Sequence, residues 1–386
     1  MKFLCTMDNI AWRSGMRVLI RIDADVAMKG GRISEDFRIK QALPTIRAAL
    51  RHKAHIRIIS HRGRPKGVPF ASLTQKPISL YLSRLLKKKI LFIKDPFGKT
   101  AFSAFNESSD ILFFENIRFW KGEEENNASF AHELARWGDI YINDAFANCH
   151  REHVSVLGIT HELLSYAGMN LEKEVAVLGR VLTNPEHPFV AILGGAKLET
   201  KVPLIKKFLV LADHVLIGGA IANTLIAALG YNVGKSLVDE KKESAAKFLL
   251  NKKLHIPSDV VVTKNLSGSS SMRVCAIHDV APDEYIVDIG PATLKHFSSL
   301  LAASGMVVWN GPAGFAEVSD FARGTIHLAR AVAHAPAFKI IGGGDTIALL
   351  RTYHALRGFT YVSTGGGAML EFLSGKKLSS IEALRK

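Results

Sequence analysis

The stretch Lys339-Ile-Ile-Gly-Gly-Gly-Asp345 contains the pattern that decides the fold. Its apolar run predicts a strand over Lys339–Ile341, and the glycines predict a tight turn before a helix over Asp345–His354. The same order of strand, turn and helix recurs along the whole chain. This alternation is typical of parallel sheets that are covered by helices, so the chain is predicted to have an α/β fold.

Short apolar runs supply the remaining strands, and several have no polar residue, as expected for strands buried on both faces. The predicted strands are Arg17–Ile22, Ile56–Ser60, Ile90–Lys94, Ile111–Phe114, Asp139–Ile142, Phe189–Leu193, His214–Ile217, Val260–Thr263, Met306–Trp309, Lys339–Ile341 and Tyr361–Ser363. Amphipathic stretches between them predict helices over Gln41–Lys53, Pro203–Leu211 and Ser319–His334. So many strands favour two lobes over one sheet. The helical stretch Leu163–Leu182 is the predicted boundary between them.

The chain has 386 residues and a formal net charge of +15, with a pI near 9.7. Such a surplus of positive charge suits acidic partners, namely nucleic acid, a membrane surface or phosphorylated small molecules, although a solvated basic surface gives the same numbers. No apolar run reaches the roughly 18 residues of a membrane span. Three widely spaced cysteines predict free thiols in a reducing compartment, so the expected location is the cytoplasm.

The residues after the predicted strands differ between the two halves of the chain. In open α/β sheets, ligands bind at these carboxyl ends. The first half places charged residues there: Asp23, Asp25, His61, Arg64, Arg118, His150 and Arg151, with Arg38 before the first helix. The second half places glycine clusters there: Gly194-Gly195-Ala196-Lys197, Gly218-Gly219, Asn310-Gly311-Pro312, Gly342-Gly343-Gly344-Asp345 and Gly365-Gly366-Gly367.

Glycine turns before helices expose backbone N–H groups to an anion, and the helix dipole strengthens the attraction. Asp345 is a candidate ligand for Mg²⁺ on a nucleotide's phosphates, or alternatively a plain N-cap. Lys197 and Lys201 are spaced to share one face at the start of a helix, within reach of a phosphate. Each turn alone has a purely structural interpretation, but several such clusters in one lobe favour a nucleotide site.

The arginines and histidines of the first half would make a compact site for a small phosphorylated acid, although each is also compatible with an ordinary surface role. A two-lobe enzyme for phosphoryl transfer is therefore predicted, in which the lobes close to hold both substrates in line. Two nucleotide motifs are rejected. Gly230–Ser236 resembles a P-loop but has one residue too few between its glycines and follows a helix, and no GxGxxG dinucleotide motif opens the chain.

Together, the motifs resemble those of the phosphoglycerate kinase family, in the family's order over nearly the whole chain. The first half contributes Arg17–Asp23, Asp36–Arg38, Ser60–Gly67, Glu115–Phe119, Asn143–Phe146 and His150-Arg151. The second half contributes Gly194–Lys197, Trp309–Pro312, Glu317, Gly342–Thr346 and Ser363–Ala368. The resemblance implies reversible transfer between 1,3-bisphosphoglycerate with MgADP and 3-phosphoglycerate with MgATP, without a covalent nucleophile.

The resemblance also implies individual roles. Phosphoglycerate would be bound by Asp23, Asp25, Arg38, His61, Arg64, Arg118 and Arg151. The transferring group would be stabilised by Arg38, Lys197 and the amides at Gly344, Gly366 and Gly367. The nucleotide would be bound by Lys197, Lys201, Gly218, Gly219, Asn310, Glu317, Gly342, Gly343, Gly344, Asp345 and Thr346, with Asp345 also on the metal.

The domains expected from this resemblance are a phosphoglycerate-binding lobe over 1–165, a linking helix over 166–185 and a Mg-nucleotide lobe over 186–368. Residues 369–386 would return to the first lobe, and the protein would be a monomer. The chain departs from the family's usual residues at Asp25, Phe37, Ala147–Cys149 and Ala220. Asp25 is expected to be ionised and paired with an arginine such as Arg62. The alternative functions are a polyanion-binding protein and an acid-sugar dehydrogenase.

Overall fold

The computed structural model describes residues 3–98, 101–102, 105, 111–239, 248, 251–267 and 271–386. Its contacts divide the chain into two units. The first unit comprises Met1–Ala176 and Lys377–Lys386, and the second comprises Val177–Lys376. The sequence analysis placed domain boundaries after residues 165, 185 and 368. The contacts place one boundary within the linking helix, after residue 176, and another after residue 376.

The first unit is built on a sheet with the strand order β5-β6-β4-β1-β7-β8, and its described pairs are all parallel. The strands of this unit are β1 Arg17–Arg21, β2 Met28–Lys29, β3 Arg32–Ile33, β4 His55–Ile59, β5 Ile90–Ile93, β6 Ile111–Phe114, β7 Ile140–Asn143 and β8 Ser165–Ala167. Strands β2 and β3 form a separate antiparallel hairpin.

Hydrophobic cores cover both faces of this sheet. Along β1, Val18 and Ile20 belong to one cluster and Leu19 to the other, because successive strand residues point to opposite faces. The helices of this part of the chain are α1 Phe37–Arg51, α2 Lys76–Leu86, α3 Lys121–Glu124, α4 Ala128–Ala135 and α5 Met169–Thr183. Burial on both faces explains why the sequence shows uninterrupted apolar runs here.

The second unit contains another parallel sheet, with the strand order β11-β10-β9-β15-β16-β17. Its strands, with those of a small antiparallel sheet, are β9 Phe189–Leu193, β10 His214–Ile217, β11 Leu254–His255, β12 Asp259–Thr263, β13 Met272–Ala276, β14 Tyr285–Ile289, β15 Met306–Asn310, β16 Phe338–Gly342 and β17 Tyr361–Val362. The helices are α6 Val202–Leu211, α7 Gly219–Ala228, α8 Pro291–Ala302, α9 Arg323–His334, α10 Gly344–Thr352 and α11 Gly367–Leu373.

The two parallel sheets confirm the predicted α/β fold class, but two details of the prediction are wrong. The stretch Leu163–Leu182 is not helical throughout, because Ser165–Ala167 pairs with β7 before α5 begins at Met169. Val260–Thr263 is a strand, yet it lies in the antiparallel sheet β13-β12-β14 and not in a parallel one.

The last residues of the chain are held in the first unit by backbone and side-chain hydrogen bonds. The backbone N–H of Cys5 donates to the carbonyl of Leu384 at 2.8 Å. The Ser380 hydroxyl donates to the carbonyl of Cys149 at 3.0 Å, next to His150 and Arg151. A short helix, α12 Ser379–Glu382, lies in this segment. Residues 369–376, by contrast, belong to the second unit.

Within the described residues, no helix is both long and apolar enough to cross a membrane. Cys5, Cys149 and Cys275 are all buried as free thiols.

We expect Val332→Ala to destabilise the second unit by about 1.5–3 kcal/mol, because it removes two fully buried methyl groups from α9 and leaves a cavity. The matched control is Val210→Ala on α6, where the side chain is 75% exposed and the change should stay within about 0.5 kcal/mol. Trp309 lies in the same hydrophobic cluster as Val332, so it contributes a signal from this core to the tryptophan fluorescence measured during denaturant unfolding. Equal midpoints for the two variants would contradict this packing.

Candidate functional site

The predicted charged residues of the first unit follow four strands of one sheet. Asp23 and Asp25 follow β1, His61 and Arg64 follow β4, Arg118 follows β6, and Arg151 follows β7. Since β6, β4, β1 and β7 are neighbours in the sheet and parallel, their carboxyl ends lie at one edge. The sheet therefore brings these loops together as the sequence predicted.

Asp23 and Arg38 form the centre of this group. The Asp23 Oδ2 atom lies 3.3 Å from Nη1 of Arg38, which also donates to the backbone carbonyl of Asp25 at 3.1 Å. Burial raises the pKa of the Asp23 carboxyl, and the Arg38 guanidinium opposes that shift. The Arg38 side chain remains partly exposed, so it can hold Asp23 and still present donors to a ligand.

The Asp25 carboxylate supports the turn after β4. Its Oδ1 accepts a hydrogen bond from the backbone N–H of Gly63 at 3.0 Å, and its Oδ2 lies 3.7 Å from Nε2 of His61. The expected ion pair with Arg62 is not what holds it, because the Arg62 guanidinium donates to the carbonyls of Ser72 and Thr74. The Asp25 carboxylate still acts on Arg62 electrostatically, since it opposes the lowering of the pKa of Arg62 by burial.

Three arginines complete the basic group in different environments. Arg118 is almost fully buried, and its Nη1 donates to the carbonyl of Gly63 at 2.9 Å. Arg64 and Arg151 have exposed side chains. Two exposed arginines and two held by carboxylates or carbonyls can together surround a small polyanion, since guanidinium groups bind phosphate and carboxylate in bidentate fashion.

Sequence reasoning missed the polar residues beneath this group. Arg21 lies within β1 and contacts His61, while Glu123 and Ser155 contact each other behind it. The only signal was the arginine that follows the apolar run Val18–Ile20 at the end of β1, because a buried charge needs a partner.

The second unit presents glycine turns at the carboxyl ends of β9, β10, β15, β16 and β17. Two of these turns touch through their backbones. A Cβ atom added to Gly194 would lie 2.0 Å from the carbonyl oxygen of Pro312, and one added to Gly311 would lie 2.2 Å from the carbonyl oxygen of Gly194. Only glycine permits this approach, so these residues have a structural function in addition to any role in binding.

The turns after β16 and β17 leave open space in front of two helices. Gly343 is the N-cap of α10 with φ of 101°, and Gly366 is the N-cap of α11. No atom lies within 4 Å of a Cβ added to Gly344 or Gly366, whereas Gly342 is tightly packed against Met369. Gly367 begins α11. The open space beside Gly344 and Gly366 leaves room for an anion at these helix starts, where backbone N–H groups lack intrahelical partners.

Lys201, Asn310 and Thr346 connect three of these turns. The Lys201 ammonium donates to Oδ1 of Asn310, and the Thr346 hydroxyl accepts from the backbone N–H of Gly311 at 3.1 Å. Among the described residues, the buried Nδ2 of Asn310 has no hydrogen-bond partner. Burial lowers the pKa of Lys201 from 10.5 to about 8. A buried cation and an unused N–H donor together indicate a site for an anion.

The two lysines are not on one helical face, so that prediction is wrong. Lys197 lies in the loop before α6 and is exposed, whereas Lys201 is the buried N-cap residue of that helix. The rejected P-loop stretch was also informative, because Lys235 and Ser236 line a cavity of about 440 Å³. The cavity wall includes Gly195, Gly219, Ala220, Asn223, Tyr285, Pro312, Phe315 and Glu317, while Gly218 precedes α7. An apolar cavity with few polar groups is typical of a site for a flat ligand.

Asp345 is the candidate metal ligand and lies exposed in the first turn of α10. One free carboxylate beside a phosphate-binding turn fits Mg²⁺, which is commonly held by one or two carboxylates together with substrate phosphates. Among the described residues, no group of three His, Cys, Asp or Glu side chains forms a separate metal centre. The donor set therefore fits a metal that arrives with a nucleotide.

Comparison with known proteins agrees with this geometry. A family model described as phosphoglycerate kinase matches residues 7–376. The chain is 41% identical to a phosphoglycerate kinase of Pelotomaculum thermopropionicum over 96% of both proteins, and 38% identical to one of Zymomonas mobilis over 98% of both. The solved structure of phosphoglycerate kinase from Coxiella burnetii matches with a TM-score of 0.87 and 39% identity, over 99% of each chain.

We expect Lys201→Met to stabilise the ligand-free protein at pH 7, because the buried ammonium has a neutral amide as its hydrogen-bond partner. The folded-state pKa lies below the unfolded value, so wild-type stability rises between about pH 8 and 10.5 as the folded state releases its proton first. The Met variant lacks this rise. Its advantage over wild type should therefore be largest below pH 8 and shrink at higher pH.

The measurement is the free energy of unfolding in denaturant at several pH values. Lys197→Met is the matched control, because it removes a lysine from the same loop that is exposed and should change stability little. An advantage of Lys201→Met that does not depend on pH would contradict the environment assigned to Lys201.

Proposed function

Because this chain belongs to the phosphoglycerate kinase family, we propose that its charged and glycine-lined sites are the two substrate sites of that reaction. The enzyme catalyses reversible phosphoryl transfer between 1,3-bisphosphoglycerate with ADP and 3-phosphoglycerate with ATP, a step of glycolysis. The observation that carries the assignment of sites is the contrast between them. The sheet of the first unit presents arginines and a histidine at the carboxyl ends of its strands. The sheet of the second unit presents backbone N–H groups and a cavity there.

The charged site binds the phosphoglycerate. Arg64 and Arg151 are exposed and bind the phosphate, while the more buried Arg118 and His61 hold the substrate's other oxygens. Asp23 orients Arg38. Asp25 keeps the turn at Gly63 in place. Arg38 is the residue that meets the charge developing on the transferring group, because it combines a fixed position with free donors.

The glycine-lined site binds the nucleotide. Adenosine occupies the cavity between Gly219 and Pro312, with Glu317 at its wall as the acceptor for ribose hydroxyls. The phosphates extend to Lys201, Asn310 and the start of α10, where Gly343, Gly344 and Thr346 lie. Lys197 and the amides at Gly344, Gly366 and Gly367 stabilise the transferring group.

Mg²⁺ is the metal proposed to accompany the nucleotide, with Asp345 as its protein ligand. When bound, Mg²⁺ neutralises charge on the phosphates and orients them for displacement. The exposed position of the Asp345 carboxylate at the start of α10 is what supports this assignment.

Direct transfer needs both substrates in line and shielded from water. We therefore place the phosphoglycerate site in residues 1–165 and the nucleotide site in residues 186–368, with hinge bending in the linking segment 166–185. Of the C-terminal segment 369–386, residues 377–386 complete the first lobe. A monomer in the cytoplasm fits an enzyme of this kind. The comparisons do not support the alternatives of a polyanion-binding protein or an acid-sugar dehydrogenase.

The activity is tested by incubating the protein with 3-phosphoglycerate and MgATP, with the product coupled to NADH oxidation. A signal that exceeds that of a Lys197→Ala control supports the function and this residue's role together. If wild type and Lys197→Ala both show full activity, the reaction stands but the assignment of Lys197 is wrong. If neither shows activity, the proposed function is wrong.

Arg38→Ala should lower kcat by about 10²–10³-fold and raise the KM for 3-phosphoglycerate far less, because it removes donors that are most valuable in the transition state. Steady-state kinetics measure both constants. Arg32→Ala is the matched control, since Arg32 is an exposed arginine of the nearby β3. A change confined to KM would assign Arg38 to ground-state binding.

Asp345→Ala should weaken binding of MgADP and leave binding of 3-phosphoglycerate unchanged, because the two ligands use different sites. Isothermal titration calorimetry measures each affinity separately, and the phosphoglycerate titration is the internal control for folding. Binding of ADP without the metal should be affected much less. Equal losses for both ligands would show that the sites are wrongly divided.

A further inference from the structure

Arg21 is a fully buried arginine at the carboxyl end of β1. Its guanidinium makes three hydrogen bonds in three directions. Nε donates to the Ser155 hydroxyl at 3.0 Å, Nη1 donates to the carbonyl of Ile22, and Nη2 lies 2.9 Å from Nδ1 of His61. Because it is covered on all sides, Arg21 cannot touch a substrate, and its effect has to pass through His61.

Ser155 and Glu123 hold the Arg21 guanidinium in place through a chain of hydrogen bonds. The Ser155 hydroxyl accepts from Arg21 and donates to Oε1 of Glu123 at 2.6 Å, while the Ser155 backbone N–H donates to Oε2 at 2.8 Å. Glu123 is also fully buried. The chain Glu123–Ser155–Arg21–His61 therefore places a carboxylate and a guanidinium in the interior with hydrogen bonds between successive members. Such a network holds its members in one geometry.

This network determines which nitrogen of His61 carries the proton. A guanidinium has only donors, so the Nδ1 atom facing Arg21 must accept. A neutral imidazole with an accepting Nδ1 carries its hydrogen on Nε2. That Nε2 atom is the one on the side of Asp25, at 3.7 Å from its carboxylate, and therefore on the side of the phosphoglycerate site.

The charges around His61 also oppose its protonation. Arg21, Arg118, His153 and Arg38 act on it, with Asp25 as the nearby carboxylate. Burial and the guanidinium groups of Arg21, Arg118 and Arg38 hold the pKa of His61 well below its usual value. His153 is neutral near pH 7, because its own pKa is lowered to about 3. The imidazole therefore stays neutral across the neutral pH range, and only its tautomer decides whether it offers a donor or a lone pair.

We propose that Arg21, Ser155 and Glu123 are positioning residues that hold His61 as the neutral Nε2–H tautomer, so that it always presents a donor to an oxygen of the bound phosphoglycerate. The part about phosphoglycerate rests on the proposed function, whereas the tautomer does not. A donor fixed in this way makes substrate binding independent of the protonation of His61, which an ordinary histidine would not achieve near neutrality.

The first test is the long-range ¹⁵N–¹H NMR spectrum of the wild-type protein without ligand, with the His61 signals assigned by their loss in His61→Asn. We expect a protonated Nε2 and an unprotonated Nδ1 from pH 6 to 8. A signal for the Nδ1–H tautomer, or a doubly protonated ring at pH 7, would overturn the proposal. Apart from the assignment variant, this result does not require a variant of Arg21, Ser155 or Glu123 to fold.

The second test compares Arg21→Met and Ser155→Ala with wild type. Without Arg21, the pKa of His61 should rise, and the neutral ring should populate the Nδ1–H tautomer, which turns a lone pair toward the substrate. The KM of Arg21→Met for 3-phosphoglycerate should then be about ten times the wild-type KM at pH 8. This increase corresponds to the loss of one hydrogen bond to a charged group. The ratio of the two KM values should decrease as the pH is lowered, because a larger fraction of the ring is then protonated and donates again. Ser155→Ala should give the same trend with a smaller amplitude.

Arg57→Met is the matched control, because Arg57 is also a fully buried arginine on a neighbouring central strand, β4. It should leave the His61 spectrum and the pH profile unchanged. A KM ratio for Arg21→Met that does not vary with pH would mean that Arg21 acts only on stability, and the proposal would fail. If the NMR spectrum shows the expected tautomer but the protein has no kinase activity, the assigned tautomer stands and the proposed function is wrong.

Discussion

Backbone contact between the turns after β9 and β15 is the constraint on which the glycine-lined site depends. Gly194 and Gly311 approach so closely that a side chain on either would overlap the other turn. Because the turns touch, Lys201 and Asn310 come within hydrogen-bond distance, and the cavity wall is continued by Pro312 and Gly219. The strands fix where the turns begin, and the missing side chains determine how near they come.

The charged site in the first unit is organised by the opposite means. Its loops are held by side chains, with Asp25 on the N–H of Gly63, Arg118 on the carbonyl of the same residue, and Arg21 on His61. Each bond uses a charged group, and such bonds are shorter and stronger than neutral ones. The cost of burying these charges is offset only when every partner is present, so one missing partner disturbs the whole group.

Much of the fold follows from the sequence because strands buried on both faces are mostly apolar. This made β6, β9 and β15 visible. The prediction of strands from apolar runs failed at Ser165–Ala167, an edge strand too short to show a pattern. It also failed at the antiparallel β13, whose partly exposed residues resemble a loop. Candidate site residues could be placed at strand ends for the same reason. The position of Lys201 could not be predicted, because the spacing from Lys197 does not reveal that the helix begins only at Val202. The roles of Glu123 and Ser155 could not be predicted either, since both residues are far from Arg21 in the sequence.

Lys201 shows why an anion site has a cost for the empty protein. Its ammonium is buried with an amide oxygen as its hydrogen-bond partner, and the lowered pKa measures how poorly its charge is compensated. Asn310 adds an unused N–H donor at the same place. A polyphosphate would supply both the missing charge and the missing acceptor, so its binding gains the free energy that the empty site lacks. Arg38 in the first unit is already paired with Asp23 and has no such deficit. The second site thus derives affinity from an uncompensated charge, whereas the first derives orientation from compensated ones.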